Sequence, residues 1–154
     1  MGNFDFVRAA WPDLAEEARL AERSTYADPR VALIYARRTL ELTVTWLYRA
    51  DATLRPPYKD DLSSMLFEPS FKRLVGPAIA TKMDLIRRQG NVAVHRTTPM
   101  TPNDSLPVIR ELFHVLVWVA MRRRPRIGRW RARRSMRHPF RNRSRASSRR
   151  PWRR

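Results

Sequence analysis

Apolar and polar positions repeat at helical spacing along the first 121 residues of this chain. Trp11-Pro12-Asp13 opens the first pattern, because proline suits the first turn of a helix and an acid there complements the helix dipole. Leu14, Ala15, Ala18 and Ala21 continue it as a narrow apolar stripe, predicting a helix to about Tyr26. Asp28-Pro29 repeats the start signal, a side-chain cap followed by proline. From Val31 to Tyr48 apolar residues occupy most of the circumference, broken by Arg37, Arg38 and Glu41, which predicts a central helix with neighbours on several sides. Arg55-Pro56-Pro57-Tyr58 is a connector, since two prolines cannot sit inside a helix. Asp61 is placed to cap a short helix, Leu62 to Phe67, and Glu68-Pro69 starts another to about Val75. Gly76-Pro77 breaks the pattern before a longer helix from Ala78 to His95. Thr97 to Pro102 is a turn, and Asn103 or Asp104 begins the last helix, Leu106 to Met121. No alternation of period two is long enough for a strand, and no segment repeats. The expected fold is therefore all-α: a bundle of four principal helices plus short ones.

Charge divides the chain differently. All 14 acids lie between Asp5 and Glu111, whereas 16 arginines fall in the last 33 residues, so nearly all of the net +18 belongs to residues 122–154. We expect a folded domain over 1–121 and a disordered Arg-rich tail over 122–154, which has too little apolar area to offset its ordering entropy. Without cysteine there is no disulfide framework or thiolate metal site, and no metal centre is expected. The N-terminus lacks the basic and apolar regions of a secretory signal, and LFHVLVWVAM, Leu112 to Met121, is about half a bilayer span. A cytoplasmic protein without membrane contact is the expectation.

The stretch RRQGNVAVH, Arg87 to His95, carries the candidate chemistry. If the helix continues through Gly90, Asp84, Arg88, Asn91 and His95 follow an i, i+4, i+7, i+11 stripe, with Leu85, Ile86, Val92 and Val94 flanking it. A histidine exchanges a proton near neutral pH, and an arginine stabilises charge developing on phosphate, so the pair suffices for attack by an RNA 2′-hydroxyl without a metal. The same residues also fit a plain helix face, with Asp84 paired to Arg88, or a C-cap at Gly90-Asn91 that ends the stripe.

RQGNVAVH resembles the Arg-x4-6-His motif of the HEPN superfamily, all-α domains that include metal-independent ribonucleases and catalytically silent relatives. NFDFVRAAWPDLAEEARLAE, DPRVALIYARRTLELTVTWLY, LSSMLFEPSFKRLVGPAIATKMDLIRRQGNVAVH and VIRELFHVLVWVA are similar to the accessory domain ahead of the helicase motor in bacterial type I restriction enzyme R subunits. The resemblance implies a HEPN-like bundle, a parent acting in restriction–modification defence as an ATP- and Mg-dependent translocase and endonuclease, contact with nucleic acid, and restriction partner subunits. This chain has no phosphate-binding loop, acidic helicase box or metal-nuclease acid pair, so no cofactor and no ATPase or DNA-cleaving activity is expected of it alone. In the HEPN comparison Arg88 and His95 match the motif, Asn91 is the polar position inside it, and Glu41 is a plausible partner, with two protomers forming a composite site.

The tail has two readings. Arg122, Arg123, Arg124, Arg129, Trp130, Arg131, Arg133 and Arg134 suit a basic arm that neutralises phosphates and stacks on bases. Alternatively, the abrupt change after VWVAM marks a frameshifted or truncated product of an arginine-rich gene, the expectation we favour. His114, among Leu112, Phe113 and Val115, is expected to be a satisfied core or interface residue. Trp11, Trp46 and Trp118 are expected to anchor the core.

Overall fold

The computed structural model describes residues 2–122. The readings placed on Arg123, Arg124, Arg129, Trp130, Arg131, Arg133 and Arg134 lie outside the described residues. A short 3-10 turn, Asp5–Val7, precedes five helices: α1 (Pro12–Ala27), α2 (Pro29–Ala50), α3 (Leu62–Phe67), α4 (Pro69–His95) and α5 (Pro102–Arg122). The fold is all-α, with no strand among the described residues. Helices α1, α2, α4 and α5 pack in a ring, and α2 also reaches α5 across it.

The helix starts follow from side-chain caps. Asp28 accepts the amide of Val31 at 3.1 Å, Asp61 that of Ser64 at 2.8 Å, and Glu68 those of Ser70 and Phe71 at 2.6 and 3.1 Å. Each capped helix thus satisfies amides that have no intrahelical partner. The last helix begins earlier than expected. Pro102 occupies its first position, and Asp104, in place of acting as the cap, reaches back to accept the Thr101 amide at 2.7 Å. Gly76-Pro77 breaks the helix as expected: Gly76 leaves helical geometry, at φ 75° and ψ 165°, and splits α4 into two helical segments across a kink. That left-handed conformation is open to glycine at no steric cost.

The core explains why α2 is apolar nearly all round. Ala32, Leu33, Ala36, Leu40 and Val44 are fully buried on it, as are Phe71, Met83 and Ile86 on α4 and Leu112, Val115 and Leu116 on α5, both of which pack against α2. Each large side chain contributes about 1.5–3 kcal/mol by leaving water. Thr39 and Thr43 are also buried, and their hydroxyls donate one turn back to the carbonyls of Tyr35 and Thr39 at 2.8 and 2.7 Å. Trp11 is buried and meets Trp46 edge to face at 5.0 Å, while Trp46 and Trp118 are half-buried against the core. Tyr48 stacks on Phe71 and donates its hydroxyl to the Met65 carbonyl at 2.8 Å, fixing α3 against α2. Burial pushes that phenol up to about 12.

Helices α2 and α4 run antiparallel, and two contacts set their register. A β-carbon added at Gly90 would lie 2.4 Å from the Arg37 β-carbon. Nearer the start of α2, the Arg30 guanidinium donates to the carbonyls of Ala93 at 2.6 Å and Thr98 at 2.7 Å, and to that of Arg96. A cation is thereby placed at the negative end of α4.

Candidate functional site

The glycine in RRQGNVAVH does not end the helix. Backbone bonding continues to Arg96, whose amide donates to Val92 at 3.0 Å, so the C-cap expected as an alternative at Gly90-Asn91 is not formed. Glycine is present because α2 crosses there, at a distance no side chain permits. Ile86, Gly90 and Ala93 form the buried face against α2. Arg88, Asn91 and His95 consequently lie together on the opposite side, with Arg88 and His95 about 10 Å apart along the axis.

Asp84 binds the near end of this stripe. It accepts two bonds from Arg87, at 3.0 and 2.7 Å, and pairs with Nε of Arg88 at 3.1 Å. Arg88 nevertheless leaves 60% of its side chain in solvent. Asn91 is half-buried, and His95 is exposed with no hydrogen-bond or ion-pair partner among the described residues. The apolar flank is incomplete, because Val94 is 53% exposed where the sequence pattern had placed a packing residue.

Glu41 does not join the stripe within one chain. The antiparallel register sets Arg30 beside the end of α4, and Glu41 follows eleven residues later, about 16 Å further along α2. It pairs instead with Arg37 at 3.5 Å and lines a cleft with Asp13, Glu17, Arg38 and Leu42. Within one chain this register keeps Glu41 away from His95. Arg122, the described member of the basic set, places its guanidinium 5.1 Å from the Trp118 ring centroid. His114 is an interface residue and not a core one. Its Nδ1 lies 3.3 Å from Glu111 and 3.4 Å from Lys82, which also pairs with Glu111 across α4 and α5. Burial raises the Glu111 pKa, but the bonds from Lys82 and His114 outweigh it and hold the carboxyl below its ordinary range.

A groove that the periodicity had not signalled opens between the end of α3 and the kink in α4. It has a volume of about 510 Å³ and is lined by Phe67, Lys72, Arg73, Pro77, Ala80, Thr81 and Asp84. Of the paired basic residues in FKR and IRR, Lys72 and Arg87 converge on the Phe67 ring.

A family described as "Domain of unknown function (DUF4145)" matches residues 19–132. The chain belongs to this family. No curated protein and no solved structure matches it. The DUF4145 match covers α2 to α5 and most of α1, and therefore both the stripe and the groove. Among the described residues of this DUF4145 domain, no group of three His, Cys, Asp or Glu is placed to hold a metal ion, and no helix is long and apolar enough to cross a membrane.

Proposed function

We propose that this DUF4145 domain is a nucleic-acid-contacting accessory module of the type I restriction R subunit kind, acting beside a motor and nuclease that this chain does not contain. The observation that carries the contacting role is the alignment of exposed Arg88 and His95 with half-buried Asn91 on the helical segment of α4 that follows the kink. An exposed guanidinium takes a phosphate through two parallel bonds, and an amide and an imidazole one and two turns on supply further donors. The restriction context comes from the four quoted stretches, which cover most of residues 3–121, and a HEPN-like arrangement and restriction subunits as partners come with it. The test is fluorescence anisotropy of the full chain with labelled RNA and DNA. Replacing Arg88, Asn91 and His95 together by alanine should weaken binding roughly tenfold at constant salt, equivalent to about 1.4 kcal/mol, with the circular dichroism spectrum unchanged. Unaltered affinity would remove the stripe from the interface.

A second reading, a metal-independent ribonuclease, is favoured by the freedom of His95 among the described residues and by Arg88 on the same side. His95 would take the proton of an RNA 2′-hydroxyl as its oxygen attacks the adjacent phosphorus. The bond from phosphorus to the 5′-oxygen would break as that oxygen takes a proton from the protonated His95 of the second copy, leaving a 2′,3′-cyclic phosphate, and Arg88 would stabilise the phosphorane. A second copy of the chain would complete such a site. Cleavage that persists in chelator and disappears in His95→Ala supports this reading. A folded, dimeric sample that leaves RNA intact counts against it.

A further inference from the structure

The groove at the α4 kink combines an exposed ring with cations that no acid fully balances. Phe67 is 47% exposed, Lys72 Nζ stands 4.8 Å from its centroid, and Arg87 Cζ stands 5.7 Å away. The two cations are held differently. Arg87 is fixed by its two bonds to Asp84 and only 16% exposed, whereas the Lys72 ammonium engages the ring alone among the described residues. Asp84, the acid lining the groove, is already shared between Arg87 and Arg88. Glu68 lies near enough to feel the charge of Arg73, but its carboxylate is committed to Ser70 and Phe71 at the start of α4. Lys72 and Arg73 therefore present positive charge beside an aromatic face and the apolar wall of Pro77 and Ala80.

We infer that this groove binds one unstacked base of a single-stranded nucleic acid. The base lies against Phe67 over Pro77 and Ala80, while Lys72 swings off the ring and joins Arg73 on the adjacent phosphates. A single strand meets both requirements, because its bases are free to leave the stack and its phosphates match the cations. Duplex bases are hidden, and an acidic peptide would use the charges but not the ring. The groove also adjoins the Asp84–Arg88 end of the exposed stripe, so one strand following α4 reaches both. This inference rests on the nucleic-acid-contacting reading above and assigns it a second, separable contact.

The experiment uses the full chain and a single-stranded oligonucleotide carrying 5-bromouracil, with photocrosslinked peptides mapped by mass spectrometry and affinity measured in parallel. We expect a crosslink in the peptide holding Phe67, its loss in Phe67→Ala, its retention in Phe67→Trp, and none with a matched duplex. Phe67→Ala should weaken single-strand binding roughly tenfold, within the range that base–aromatic stacking supplies. Lys72→Glu with Arg73→Glu should reduce the salt slope by at least about 1.4, the share of two phosphate contacts on a single strand. Crosslinks confined to the aromatic residues of the Arg-rich segment 122–154, Trp130, Phe140 and Trp152, with Phe67→Ala binding normally, would overturn the proposal. Equal competition by a poly-glutamate peptide of the same charge would overturn it as well. If Phe67→Ala binds normally while the Arg88, Asn91 and His95 variant is impaired, the groove fails and the stripe stands. The reverse result refutes the stripe and leaves the groove.

Discussion

Replacing Gly90 by alanine separates two physical effects that act in opposite directions. In a solvent-facing helix the change should stabilise by about 1 kcal/mol, through the higher helix propensity of alanine. Here the new methyl would meet the Arg37 β-carbon at 2.4 Å, its δ-carbon at 2.9 Å and its γ-carbon at 3.0 Å. The δ- and γ-carbons can rotate away. The β-carbon cannot, so α2 and α4 must part by roughly 1 Å to restore ordinary carbon contact. Overpacking costs about 1–3 kcal/mol, and a clash between two β-carbons belongs at the upper end, leaving a net loss of about 2 kcal/mol. For a domain of this size that is a fall in Tm of about 8 °C. Urea unfolding of both proteins, compared through the midpoint at constant slope, gives the number. Combining Gly90→Ala with Arg37→Gly removes the opposing β-carbon, and the double variant should recover most of the interaction energy in a mutant cycle. A Gly90→Ala protein more stable than the parent would refute the close-approach argument and leave Gly90 an ordinary helix residue.

Two further outcomes follow from the same structure. Arg30→Met keeps the aliphatic stem but removes three bonds to carbonyls at the end of α4; it should cost about 1.5–3 kcal/mol and speed amide exchange around residues 93–98. Unchanged exchange there would show that α4 ends independently of α2. The Ser70 hydroxyl and the amides of Phe71 and Ser70 hold the Glu68 carboxyl below its ordinary 4.5. A folded-state pKa lowered in this way contributes stability above pH 4.5, and the contribution is lost as pH falls through the folded value. Glu68→Gln should therefore be less stable than the parent at neutral pH, with the difference shrinking below pH 4.5; a constant difference would show that Glu68 does not titrate with folding.

The helices were legible because their signals are local. Asp28-Pro29, Asp61 and Glu68-Pro69 each bring the capping group within three residues of the amides it satisfies, so residue order alone carries the information. Helix α5 was misplaced at its start by the same kind of signal, since Asp104 serves a backward bond to Thr101 and resembles a cap in sequence. The stripe was half legible: periodicity aligned Arg88, Asn91 and His95, but whether Gly90 broke the helix depended on Arg37, fifty-three residues away. That Glu41 lies away from His95 within one chain was hidden for a related reason, because helix adjacency does not specify register. The groove was not legible, as it depends on the angle at Gly76 and on α3 folding back over α4.

The hold of Arg30 on three successive stations of the chain also bears on how this family can vary. From Ala93 to Thr98 the path is pinned at fixed distances to the first turn of α2, and from Met100 it is held again, by packing of Met100 on the core and by the bonds of Thr101 to Asp104. Insertions or deletions between Thr98 and Met100 should be absorbed as slack, as in other surface connections. One residue gained or lost before Thr98 would break several anchors together and turn the imidazole of His95 away from its neighbours on α4. Relatives that retain an arginine at the Arg30 position should therefore concentrate their length differences around Pro99.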